Sequence, residues 1–205
     1  MYAPTSPFVR RVHVVAMELG LADRIELEPV QVMPGQESHA YAERVNPLRK
    51  IPALVLDDGQ TVLVDSAVIV QYLDDLAGGN RLIPGGPDRW RVLSQQAIAQ
   101  GMSDAIVLVR YETWLRPESL RWPDWITDQL DRFWSGLAWF ERHAQQALSP
   151  ARLDVAQIAL ACCLGHTAFR FPELSWPTRA PLVERWYREV MQRPSLARTD
   201  PHNYR

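Results

Sequence analysis

A chain of 205 residues with 47% hydrophobic and 22% charged content reads as an ordinary globular protein with a sizeable core, in one large or two small domains. A formal net charge of −2 gives no electrostatic basis for nucleic acid or an anionic membrane as a partner. The opening MYAPTSPFVRR lacks the apolar core of a signal peptide, and the longest apolar run, 155–169, is too short to span a bilayer.

Residues 1–3 are a stub of strand. Ser6 as N-cap with Pro7 at the first helical position predicts a helix carried by Phe8, Val9, Val12, Val14, Val15 and Leu19. Gly20 ends it. Residues 25–32, IELEPVQV, alternate and predict a strand. Residues 33–45 read as a loop and a short polar helix bearing His39 and Tyr41. Pro52 then starts a strand, Ala53-Leu54-Val55-Leu56, because proline has no N–H to give a ladder. Asp58-Gly59 signals a hairpin, and Thr61-Val62-Leu63-Val64 returns. Asp65-Ser66 sits where a helix cap belongs, and that helix runs to about Leu76.

Residues 77–87, AGGNRLIPGGP, mark a boundary, and beyond them only helical periods remain. The pattern predicts one helix from Asp88 to Leu115 and a second from Pro123 to Ala147. A third is capped by Asp154, with Gln157 at capping-box spacing. A fourth runs from Pro181 to Gln192 and is ended by Pro194, ahead of a polar tail. The two cysteines, Cys162 and Cys163, are adjacent in the third helix, which suits buried small residues and a reducing cytoplasm, with no disulfide framework and no metal site.

Two features can do chemistry. A cis Ile51-Pro52 bond turns the N–H and C=O of Ile51 outward, where an extended peptide can pair with them. The helix opening at Ser66 offers free N–H groups to a carboxylate, and Asp65 can hold an ammonium. Together they suit a short zwitterionic peptide. The competing reading is that Pro52 only starts a strand and Asp65-Ser66 only cap a helix.

The order Asn-Pro-x-x-Lys-Ile-Pro-x-Leu, Asp-Gly, Asp-Ser-x-x-Ile-x-x-Tyr-Leu across residues 46–73 resembles the glutathione site of the cytosolic glutathione S-transferase superfamily. Asp65 stands where glutamate is commoner and Arg49 where glycine is commoner. Residues 6–12 resemble the serine motif of bacterial, serine-type members, and residues 154–164 resemble the capped central helix of the family's helical domain.

The resemblance implies a thioredoxin-like βαβαββα domain over 1–76, a linker over 77–87 and an all-helical domain over 88–205. It implies a detoxifying transferase that conjugates glutathione, as co-substrate and without a metal, to small hydrophobic electrophiles. Ser6 or Thr5 would face the thiolate; Tyr2 matches the tyrosine-type classes only loosely. Ile51, Pro52, Asp65 and Ser66 would bind glutathione, with Lys50 and His39 toward its glycyl carboxylate. Gln100 or Asp104 would reach a partner's glutathione. Phe8, Met102, Ile106, Arg110, Tyr111 and Trp114 would line the electrophile pocket. A cytoplasmic homodimer is the expected assembly. With no cysteine near the first helix, exchange through a protein thiol is disfavoured. A glutathione-dependent peroxidase or disulfide reductase, and a non-catalytic interaction module, remain as alternatives on the same fold.

Overall fold

The computed structural model describes residues 1–36 and 38–204. Helix α1, Pro7–Glu18, starts where the cap predicts: Ser6 is extended and its Oγ accepts from the Val9 N–H at 3.4 Å. Gly20, at φ 72°, supplies the left-handed turn after it. A short α2, His39–Arg44, precedes strands β1, Ala53–Val55, and β2, Val62–Val64. These strands pair antiparallel, Ala53 opposite Val64, and Asp58 closes their turn by accepting from the N–H groups of Gln60 and Thr61 at 2.9 and 2.7 Å. Helix α3, Ser66–Leu76, follows directly.

The two upstream strands do not form ladders. Tyr2 makes a single parallel bridge to Pro29, donating to the Glu28 carbonyl at 2.7 Å and accepting from the Val30 N–H at 3.0 Å. Pro4 and Pro29 have no N–H, so the pairing stops at one residue. The Met1 ammonium donates to the Ala53 carbonyl at 2.9 Å, which sets this stub between residues 28–30 and β1. The thioredoxin-like order is kept, with two of its four extended segments irregular.

The helical half comprises α4 (Pro87–Arg110), α5 (Pro123–Arg142), α6 (Ala144–Ala147), α7 (Val155–Arg170), α8 (Pro181–Val190) and α9 (Pro194–Arg198). The helix expected to reach Leu115 changes at Tyr111 into a π-type turn, Tyr111–Leu115. The helix expected to reach Ala147 breaks at His143. There the imidazole stacks on Trp139, and its Nδ1 shares the Trp139 carbonyl, at 2.7 Å, with the His143 backbone N–H, at 3.1 Å. Asp154 caps α7 through the Gln157 N–H at 2.9 Å, but the reciprocal half of the capping box is absent. Gln157 instead bonds Ser149, Arg152 and Trp186.

The expected polar tail packs back on the body. Arg10 is buried in α1 and needs acceptors; it finds the Leu196 carbonyl at 3.0 Å and the Thr199 Oγ1 at 3.2 Å. Arg193 pairs with Glu18 at 2.6 Å. Helix α7 is buried on almost every side from Val155 to Thr167 and packs on both α1 and α4. One continuous core therefore runs from Val15 and Ile69 through Ile106 and Leu160 to Phe133. That continuity fixes the mouths of α1 and α3 against the helical half.

Candidate functional site

The Ile51-Pro52 peptide is cis. Among the described residues neither the N–H nor the C=O of Ile51 has a backbone partner, so this edge remains open. The loop leading to it is pinned from behind. Asn46 Nδ2 and the Tyr41 hydroxyl both donate to the Lys50 carbonyl, at 2.8 and 2.9 Å. Arg49 sits at φ 52°, which explains why glycine is the easier residue there. The Lys50 residue is exposed, as is His39 at the start of α2.

Beside that edge lies the mouth of α3. Asp65 holds φ 67°, an unfavourable conformation for a residue with a side chain, and its Oδ1 accepts from the Ala67 N–H at 2.7 Å. Its other oxygen accepts from Gln100 Nε2 at 3.4 Å. Ser66 is buried, and its Oγ accepts from Arg11 Nη2. Arg11 also donates to Gln100 Oε1 at 3.1 Å, so α1, α3 and α4 meet in one polar network. Sequence reasoning missed Arg11. The signal was a cation one turn after Pro7, on the face that carries Val14 and Val15. Burial lowers its basicity, while the charges of Asp65 and Asp104 hold it up. Desolvation raises the Asp104 carboxyl, opposed by the positive charge of Lys50.

The start of α1 completes the site. Ser6 Oγ accepts from Val9 with one of its two lone pairs and keeps its O–H to donate elsewhere. Thr5 is engaged differently: its Oγ1 accepts from Arg170 Nη2 at 3.2 Å, and its carbonyl accepts from His166 Nδ1 at 3.0 Å. Tyr2 points its hydroxyl to Tyr204 at 3.4 Å, a contact with the C-terminal segment. Burial pushes the Cys163 thiol up to about 12 and raises that of Cys162, so neither protein sulfur is a nucleophile at neutral pH. Among the described residues no group of His, Cys, Asp or Glu is placed to hold a metal ion.

Residues 1–81 match the N-terminal domain of glutathione S-transferase, and residues 123–189 match its C-terminal domain. The GST-like protein YibF of Escherichia coli is 30% identical over 96% of this chain and 95% of its own. The chain belongs to the glutathione S-transferase family. A glutathione transferase family member from Pseudomonas fluorescens Pf-5, solved with bound glutathione, is 44% identical, covers 98% of this chain and 97% of its own, and superposes with a TM-score of 0.93. A glutathione S-transferase from Methylobacillus flagellatus, also with glutathione bound, is 34% identical with a TM-score of 0.84, over 98% of this chain and 97% of its own.

The residues expected around the electrophile of this glutathione S-transferase family member separate into two groups. Met102 and Ile106 are buried in the core that joins α4 to its neighbours, so neither faces a cleft. Phe8 is half-buried in the first turn of α1. Arg110 ends α4 with its guanidinium over the exposed Trp114 ring, 4.4 Å from its centre. An open cleft of about 760 Å³ lies between Pro34–Gly35 and residues 108–125, and Tyr111 is the one expected pocket residue that lines it. No helix among the described residues is long and apolar enough to cross a membrane.

Proposed function

We propose that the protein is a glutathione transferase that ionises the thiol of bound glutathione and delivers it to a small electrophile. The observation that carries this reading is the unpaired main chain of Ile51 beside the α3 mouth, with the Ser6 hydroxyl at the start of α1. Ile51 pairs with the cysteinyl unit of the tripeptide as an added strand does. Asp65 takes the γ-glutamyl ammonium and the N–H groups at Ser66 take its carboxylate. Lys50, with His39 as the weaker candidate, faces the glycyl carboxylate. A free thiol has a pKa of about 8.5. A hydroxyl hydrogen bond to S⁻ contributes about 1.5–3 kcal/mol and the helix dipole about 0.3–1 kcal/mol, together about 1.5–3 pKa units. The thiol proton leaves to solvent. Sulfur then bonds the electrophilic carbon, and the leaving group departs with its electron pair.

The test is turnover of 1-chloro-2,4-dinitrobenzene together with retention on immobilised glutathione. Absence of both overturns the assignment. Faster reduction of a glutathionyl disulfide than conjugation transfers it to a reductase, and loss of retention with recovery of a stable protein partner transfers it to an interaction module.

We also propose a homodimer. Val68 on α3 and Trp90 on α4 are exposed, by 47% and 71%, on helices joined by the Arg89–Gln71 hydrogen bond at 3.0 Å. Sedimentation at about twice the monomer mass is the expected result.

A further inference from the structure

Residues 3–6 form the turn that delivers Ser6 to the start of α1: the Ser6 N–H donates to the Ala3 carbonyl at 3.1 Å, across Pro4 and Thr5. Pro4 has no N–H to anchor this turn, and among the described residues the Ser6 Oγ makes only the long bond to Val9. Two tethers come instead from α7, and both meet Thr5. His166 Nδ1 donates to the Thr5 carbonyl at 3.0 Å, and Arg170 Nη2 donates to the Thr5 Oγ1 at 3.2 Å. His166 and Arg170 are four residues apart, so one face of α7 grips the main chain and the side chain of a single residue.

The body of α1 does not depend on this grip. Val9, Val14 and Val15 are buried and hold the helix by apolar contact. The grip also carries a cost. The Thr5 carbonyl can only accept, so the His166 Nδ1 holds the proton and the bare Nε2 is left buried without a partner, which lowers stability. Arg170 is itself held in place. Its guanidinium stacks on Phe169, 4.4 Å from the ring centre, and Phe169 meets the His202 ring edge-on at 5.2 Å. Stacking fixes the plane of a guanidinium while its N–H groups aim outward within that plane.

We propose that Arg170 is a positioning residue for the transfer reaction, holding Thr5 against α7 so that the neighbouring Ser6 hydroxyl stays aimed at the thiolate. This rests on the transferase reading and names a residue of the helical half that supports it. Arg170 works through Thr5 and makes no bond to glutathione or to the electrophile. Its loss therefore changes how well the thiolate is stabilised, not how tightly either substrate binds.

The deciding experiment is a double-mutant cycle in the full chain with Arg170→Met, Thr5→Val and the double variant, using glutathione and the uncharged 1-chloro-2,4-dinitrobenzene. Arg170 is half-buried at a helix end, where methionine keeps a contact with Phe169 and removes the donor. Arg170→Met is expected to lower kcat about 3–30-fold, short of the about 100-fold that an ångström of misplacement costs, and to raise the pKa of the bound thiol. KM for each substrate should change less than about twofold, and Arg170→Lys should recover part of kcat. The double variant should be no worse than the worse single one. Unchanged kcat and thiol pKa in Arg170→Met, a loss confined to KM, or losses that multiply in the double variant overturn the proposal. Wild-type protein whose bound glutathione keeps an ordinary thiol pKa and is not turned over removes the transferase reading, and the proposal with it. A lowered wild-type thiol pKa that Arg170→Met leaves in place removes the proposal alone.

Discussion

Arg11 on α1 donates to the hydroxyl of Ser66 at the first turn of α3, so a fully buried cation ties together the two helix mouths that form the site. The arrangement is costly for folding. The guanidinium is desolvated, and its Nε has no partner. Replacing a whole buried charge network by apolar side chains is often neutral or stabilising, but removing one member leaves its partners, here Ser66 and Gln100, without their donor. Arg11→Met is therefore expected to lower stability by about 1–3 kcal/mol in urea melts and to lower glutathione affinity at least about tenfold. A large loss of stability with affinity intact assigns Arg11 to folding alone.

Ser6 and Thr5 both carry hydroxyls, and the structure separates their tasks. Thr5 accepts from Arg170, whereas Ser6 accepts only a long bond from Val9. Ser6→Ala is expected to lower kcat about 10–150-fold, the equivalent of about 1.5–3 kcal/mol of bonding to S⁻. Its glutathione Kd should change little, and loss of the cap should cost about 1 kcal/mol of stability. The thiolate absorbance of bound glutathione, followed against pH, should show a raised thiol pKa. Thr5→Val should do less. If the two variants exchange these effects, Thr5 is the thiolate donor.

The local elements were legible because each rests on residues adjacent in sequence. Ser6-Pro7 begins α1, Asp58-Gly59 turns the hairpin, and Asp65-Ser66 opens α3. What sequence could not show depends on distant partners. Arg11 is explained only by Ser66 and Gln100, and the C-terminal segment is ordered only because Arg10 needs Leu196 and Thr199. Met102 and Ile106 share helical spacing with Arg110, but periodicity alone does not say which face meets α7 and which meets a cleft. The two missing strands failed because of their prolines, which alternation of apolar residues does not weigh.

His166 makes the region under Thr5 sensitive to acid. Burial pushes its pKa down to about 4, against an ordinary value near 6.5, although the bond to the Thr5 carbonyl opposes the shift. Between these values the unfolded chain binds a proton that the folded chain refuses, so stability rises with pH through the window. It is fully present above about pH 6.5 and is lost as pH falls toward about 4, a swing of about 3 kcal/mol. His166→Asn keeps a donor for the Thr5 carbonyl and does not titrate. Urea melts at a series of pH values should show a flatter profile for the variant across that window. Parallel profiles for wild type and variant mean that His166 titrates normally.

The start of α7 reverses the ranking that a capping box implies. Asp154 satisfies one N–H, that of Gln157, so Asp154→Ala should cost about 0.5–2 kcal/mol. Gln157 does more. Its Oε1 accepts from the Ser149 N–H at 2.7 Å and from Trp186 Nε1 at 3.2 Å, and its Nε2 donates to the Arg152 carbonyl at 2.9 Å. Leucine has similar bulk but serves none of them, leaving three polar groups short of a partner. Each unsatisfied buried group costs about 1–3 kcal/mol, less for the half-exposed Ser149 and the exposed Arg152 than for the buried Trp186. Gln157→Leu should therefore lose about 3 kcal/mol in urea melts, more than Asp154→Ala, despite the gain in apolar character. A leucine variant as stable as wild type would mean that the loop carbonyl and N–H find other partners, and that α8 is held without the Trp186–Gln157 bond, by packing and by the Glu141 carboxylate at its start.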